Sequence, residues 1–216
     1  MISHDKKCIF IHIPKCGGSS IEEAIWPDIK GRTEEDLWMG FVTLYENKYQ
    51  TGGLQHLLAW QVREEVGRDV FDSYYKFTFV RNPWDRIVSQ FAFMQLRPDL
   101  MDYLGMKPDT EFKSYLDLIR LKEHVQWTPQ VRFFLDHDRS VLVDRIGRLE
   151  DFKQDCAQVF SALGLGLDQL PGHSNQSKRK SLQHYYFDRE SIEMVADIFA
   201  EDIEYLGYEF EDLPLR

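Results

Sequence analysis

The sequence predicts an α/β fold built on a largely parallel sheet, and three observations carry that expectation. Apolar runs at 8–13, 74–80 and 140–146 read as buried strands. Helical stretches separate them, as crossovers between parallel strands require. Two of these strands run straight into the most unusual turns of the chain, at the edge where ligands of such folds bind.

The elements follow in order. Residues 8–13 are rich in β-branched side chains, and the glycines after them open a helix over about 18–26. Residues 28–53 are polar and broken by Gly31, Gly40, Gly52 and Gly53, with Trp38 and Phe41 interleaved. They read as a long excursion of the kind that shapes a substrate site. A short helix is expected at 55–66 and a strand at 74–80. Pro83 then starts a helix to about 96, because proline suits a first helical turn. Helices at 109–122 and 128–135, a strand at 140–146 and a helix over 150–163 ending near Gly164 come next. Residues 165–187 are loop-like. In the last helix, about 188–206, Ile192, Val195, Phe199, Ile203 and Leu206 repeat at helical spacing and should face the core.

A chain of 216 residues suits one domain, 1–216, and can bury a real core. Its net charge of -10 argues against general duplex nucleic-acid binding, which usually needs a basic face. An anionic ligand remains compatible, because basic residues cluster locally at Arg81 and Arg86 and at Lys178, Arg179 and Lys180. The three cysteines, Cys8, Cys16 and Cys156, have no metal-like spacing and read as reduced thiols of a cytoplasmic protein. Neither a signal peptide nor a membrane span is expected.

The first turn is "HIPKCGGSS", residues 12–20. A strand, a glycine turn and a helix N-terminus make an anion cradle of outward N–H groups, aided by the helix dipole. Gly17 and Gly18 allow close backbone approach, Ser19 and Ser20 offer hydroxyl donors, and Lys15 brings a full charge. The pattern is not G-x-x-x-x-G-K-[ST], because here the lysine precedes the glycines. The bland alternative is a plain strand-to-helix turn with a surface lysine. The second turn is "FVRNPWDRIVSQF", residues 79–91. Arg81 follows the strand, and Arg86 and Ser89 share a helical face. Arginine grips phosphate bidentately. Alternatively, Arg81 and Arg86 simply pair with carboxylates such as Asp85.

Together the two turns resemble those of the sulfotransferases that use 3′-phosphoadenosine-5′-phosphosulfate (PAPS). "HIPKCGGSS" is similar to their 5′-phosphosulfate loop, and "FVRNPWDRIVSQF" to their 3′-phosphate motif R-N-P-x-x-R-x-x-S. The likeness is to the branch holding Golgi carbohydrate sulfotransferases and many bacterial relatives. It extends through "GGLQHLLAWQV", "WTPQVRFFLD", "VDRIGRLEDF" and "AEDIEYLGYEF". It implies a P-loop-type three-layer α/β/α fold with a central, mainly parallel sheet. It also implies that Lys15 lies near the bridging oxygen of the phosphosulfate. Gly17, Gly18, Ser19 and Ser20 would wrap the 5′ group, with Cys16 a small packing residue of the same cofactor-binding loop. Arg81 and Ser89 would grip the 3′-phosphate, while Arg86 could be structural. Ser177, Lys178 and Arg179, in "NQSKRK", would belong to a segment closing over the nucleotide, or to a solvated basic loop.

The reaction implied is in-line transfer of a sulfuryl group to an acceptor hydroxyl of a carbohydrate or small metabolite. Lys15 would meet charge on the leaving oxygen, and no metal is required in principle. His56, after Gly52-Gly53, is the expected general base, resembling the histidine of the branch's "H-L/A-T-A" segment with Leu58 in place of threonine. His12 should make core or supporting hydrogen bonds. Two other readings stay open. "VLVD", ending at Asp144, faintly resembles the magnesium-holding strand of P-loop kinases. A nucleotide-binding module without catalysis would keep Lys15 and Arg81 and need no base.

Overall fold

The computed structural model describes residues 1–28, 31, 33–38, 54–166 and 179–213. In chain order these form β1 (Ile2–Ser3), β2 (Cys8–Ile11), α1 (Gly18–Ile25), α2 (Ala59–Val66), α3 (Arg68–Ser73), β3 (Tyr75–Val80), α4 (Pro83–Met94), α5 (Pro98–Leu104), α6 (Phe112–Arg120), α7 (Val131–Phe134), β4 (Arg145–Arg148), α8 (Phe152–Ala162), α9 (Leu182–Tyr185), α10 (Arg189–Ile198) and α11 (Ala200–Leu206). Short 3₁₀ turns join some of them. The chain divides into two compact units: Met1–Val80 with Gln130–Asn175, and Arg81–Pro129 with Gln176–Arg216.

The first unit carries the sheet, in the order β1-β2-β3-β4. β1 is antiparallel to β2, while β2, β3 and β4 run parallel. This is the mixed α/β fold with a mostly parallel sheet flanked by helices that the sequence predicts. All four residues of β2 are buried, as suits a strand covered on both faces. Phe10 lies opposite Phe77, their rings stacked with centroids 5.1 Å apart. Onto this aromatic strip pack Ile21 and Ile25 of α1 and Phe152, Cys156, Val159 and Phe160 of α8. Each such side chain contributes ~1.5–3 kcal/mol on burial. Gly147 pairs with Phe79, where an added β-carbon would lie 2.6 Å from that ring. Cys8 and Cys156 are buried thiols pushed up to about 11 and about 12 by desolvation, so neither is reactive near neutrality.

The last strand departs from expectation: it spans 145–148 rather than 140–146. The apolar run at 141–143 is taken by a local hairpin, in which Val141 bridges Leu135 and the Leu142 amide donates to the Phe134 carbonyl at 2.8 Å. The strand itself reads Arg-Ile-Gly-Arg, a pattern without an apolar signature.

In the second unit α4 is the anchor. Asn82 caps it, accepting from the Trp84 amide at 3.1 Å, and Pro83 starts it. Asn82 also donates to the Glu209 carbonyl, Trp84 donates to the Ile192 carbonyl at 3.0 Å, and the Tyr186 hydroxyl donates to the Trp84 carbonyl at 2.7 Å. The single last helix expected over 188–206 is two, broken at Phe199. Val195, Phe199 and Leu206 are buried as expected, whereas Ile192 and Ile203 are half-buried. α5 goes beyond the expected elements, though Pro98 at its start and left-handed Gly105 at its end are its signals.

Candidate functional site

In the first unit, the turn after β2 is set by backbone. Lys15 has φ 67° and Gly17 φ 83°, both left-handed. For lysine that region is uncommon and costs ~1–2 kcal/mol. Gly17 is the cap position of α1 and no side chain caps the helix. The first-turn N–H groups therefore lack the usual side-chain oxygen. Ser19 is exposed and Ser20 is buried. Cys16 is 1% exposed; its thiol donates to Gln130 Oε1 at 3.2 Å, so it faces inward.

The glycine pair has a packing reason beyond ligand approach. A β-carbon on Gly17 would meet Leu149 at 2.7 Å, besides the positive φ. One on Gly18 would lie 2.0 Å from Nε2 of His12. The imidazole thus occupies the space that the missing side chain leaves.

His12 is buried, with Nδ1 2.7 Å from Oε1 of Glu22, itself buried on α1. The sequence reading missed Glu22. Its signal was there: Gly18, Ile21, Glu22 and Ile25 follow the spacing of one buried helix face, and a carboxylate on such a face needs a partner. His56 ends a 3₁₀ turn over Leu54–His56. Its Nδ1 lies 3.0 Å from the main-chain oxygen of His12, and the two imidazoles are 4.6 Å apart between centroids at 61°. A carbonyl only accepts, so His56 Nδ1 carries the hydrogen. In the neutral ring, Nε2 then holds the lone pair. The first unit therefore brings together the 12–20 turn and the expected base through His12.

In the second unit, Arg81 meets Asp85 through Nε at 2.7 Å and Nη2 at 2.6 Å. Arg179 reaches the same carboxylate through Nη2, and its Nη1 donates to the Asp85 carbonyl at 3.1 Å. Two guanidiniums thus converge on one anion at the start of α4, a site that also favours negative charge through the helix dipole. Arg81 does pair with Asp85, as the bland alternative held. Arg86 is 2% exposed, donates to the Thr128 carbonyl at 2.9 Å and lies over the Phe199 ring, contacts that pack it into the second unit. Ser89 is buried one helical turn beyond Asp85. Ser177 and Lys178 lie outside the described residues, as does most of the 28–53 excursion.

Asp144 accepts from the Lys76 amide at 2.7 Å and pairs with its ammonium at 3.1 Å. It immediately precedes β4, and β4 runs parallel to β3 and β2. Asp144 therefore sits at the edge where these strands begin, whereas the Lys15 turn leaves the edge where β2 ends.

A family model described as "Sulfotransferase family" matches residues 1–209. A protein of Archaeoglobus fulgidus, described as uncharacterized, is 32% identical over 107 residues, which cover 50% of this chain and 82% of that protein. No solved structure matches significantly. Among the described residues no helix is long and apolar enough to cross a membrane.

Proposed function

The chain belongs to the sulfotransferase family, and from that premise we propose that its sulfate donor is PAPS and its acceptor a hydroxyl of a carbohydrate or small metabolite. The observation that carries this reading is the turn after β2, with its left-handed lysine and a helix N-terminus that no side chain caps. Donors so arranged suit a dianionic group held on backbone amides. Strain at a lysine is tolerated where the surroundings hold it in place, and it is often found at working sites.

In this mechanism the amides of Gly17 to Ser20 and the Ser19 and Ser20 hydroxyls hold the 5′ phosphosulfate, with Cys16 contributing only backbone. Lys15 meets the charge that grows on the bridging oxygen as the sulfur–oxygen bond breaks, the moment at which a preformed cation helps most. His56 takes the acceptor's proton on Nε2, the nitrogen that its bond to the His12 carbonyl leaves basic. Arg81 and Ser89 hold the 3′-phosphate, joined by Arg179, with Ser177 and Lys178 on the same segment. The Asp85 carboxylate between Arg81 and Arg179 supports this assignment: two guanidiniums already gathered on one anion suit a second. No metal is needed for the transfer. A reducing, cytoplasmic setting suits three buried thiols.

The kinase alternative is disfavoured by the place of Asp144, at the opposite strand edge from the Lys15 turn and paired with Lys76. The test is release of 3′,5′-adenosine bisphosphate from PAPS in the presence of sugar and phenol acceptors. His56→Ala should lower turnover ~10²–10⁴-fold while bisphosphate binding persists. Full turnover in that variant would reject His56 as base. Transfer from ATP with magnesium, and none from PAPS, would reject the donor.

A further inference from the structure

Among the described residues of the first unit, His12 and Glu22 form a buried ionisable pair that the mechanism above does not use. Their side chains are 10% and 5% exposed. Taking an imidazole and a carboxylate out of water is costly, and a well-packed apolar pair often stabilises a fold as well or better. Fastening β2 to α1 therefore does not by itself account for this choice of residues.

The surroundings of His12 indicate what else it does. Its ring is held on four sides: stacked on Phe10 at 5.3 Å and 15°, seated where Gly18 has no side chain, bonded through Nδ1 to Glu22, and set against the ring of His56. It touches His56 twice, because its carbonyl also takes the hydrogen of His56 Nδ1. The carbonyl selects the tautomer of His56, and the ring limits how its plane can turn. Glu22 in turn keeps the His12 ring from turning.

We infer that His12 is a positioning residue for His56, held in its own place by Glu22. The inference rests on the reading of His56 as the base. It makes α1 a common mount: its first turn closes the Lys15–Ser20 loop, and its second turn, through Glu22 and His12, sets the direction of His56 Nε2. Base and loop then keep a fixed relation whatever acceptor arrives, which is the precision that positioned catalysis needs.

The test reads the imidazole nitrogens directly, by ¹⁵N–¹H correlation spectra of the histidine side chains in the full chain near neutral pH. The wild-type protein should show His56 protonated on Nδ1 alone, and His12 protonated on Nδ1. Glu22→Gln, whose amide oxygen still accepts, should keep the His56 pattern. Glu22→Leu removes the acceptor and frees the His12 ring, so that the His56 ring can turn off the His12 carbonyl and show a mixture of both tautomers, while 3′,5′-adenosine bisphosphate still binds within threefold. A His56 pattern unchanged in Glu22→Leu overturns the inference. Should that variant fail to fold, the wild-type spectrum decides: Nδ1 hydrogens on both rings sustain the inference, and His56 protonated on Nε2 overturns it. The base reading fails separately, through turnover retained in His56→Ala, a result that leaves these spectra as they are.

Discussion

The turn after β2 and the start of α4 present positive charge in opposite ways. The first is made of backbone: two left-handed residues, an uncapped helix and one lysine. The second is made of side chains, Arg81 and Arg179 brought together on the Asp85 carboxylate. A backbone site is fixed by packing, so changing its frame costs folding energy. A side-chain site is fixed by charge balance, so changing one partner alters affinity and leaves the frame standing. The variants below separate these two consequences.

The largest effect on chemistry is expected at Lys15, the one side-chain charge of the backbone site. Lys15→Ala should lower turnover ~10²–10³-fold, as for loss of one preorganised stabiliser of developing charge. Steady-state kinetics with PAPS read it. The largest effect on stability is expected at Gly18, where a methyl group must displace the His12 ring. Gly18→Ala should cost about 3 kcal/mol, readable in urea unfolding. An alanine variant as stable as wild type would show that the ring yields readily, and the contrast would lose one side.

The side-chain site should respond otherwise. Arg81→Gln should weaken 3′,5′-adenosine bisphosphate ~10–100-fold, the worth of a charge-assisted bond, with 5′-AMP little changed. Asp85→Asn sharpens the point. It removes a negative charge at the proposed 3′-phosphate site and lowers unliganded stability by about 1 kcal/mol; on that proposal the bisphosphate should bind ~3–10-fold tighter. Calorimetric titration of both variants with both nucleotides decides it, and weaker binding in Asp85→Asn would mean that Asp85 holds the arginines for the ligand instead of competing with it.

The same contrast explains how much was legible in the sequence. The backbone turn could be read because glycines and a lysine after a strand announce it, and the α/β fold because crossovers between buried strands leave few arrangements. Arg81 was legible for the same reason, standing directly after a strand and before Pro83. Its partner Asp85, four residues on, was within reach of a sequence reading, whereas Arg179, which shares that carboxylate, arrives from 94 positions away. The pairing of Glu22 with His12 stayed hidden because the two come opposite each other only once β2 and α1 pack. The strand at 145–148 was displaced because the apolar residues beside it serve a hairpin, while its own register is set by β3.

An effect confined to acid pH tests the second unit alone. Burial pushes His124 down to about 4, and its Nδ1 accepts from the Gln126 amide, a role only the unprotonated nitrogen can fill. Below its ordinary pKa of about 6.5 the unfolded chain binds a proton that the folded chain refuses. Stability should therefore fall as pH drops from about 6.5 toward 4, by up to ~3 kcal/mol from this group. His124→Gln should flatten that part of the curve of unfolding free energy against pH. An unchanged slope would place the acid sensitivity elsewhere.

Thermal melting reads whether one donor uses both a 5′ and a 3′ anion site, as proposed. The chain would be melted with 3′,5′-adenosine bisphosphate, with ADP and with ATP, each with and without magnesium. A ligand at a hundredfold its dissociation constant adds ~2.7 kcal/mol, which for a chain of this length raises the midpoint by ~5–10 °C. That rise is expected with the bisphosphate, indifferent to magnesium, and little with ADP. A rise only with ATP and magnesium would contradict it.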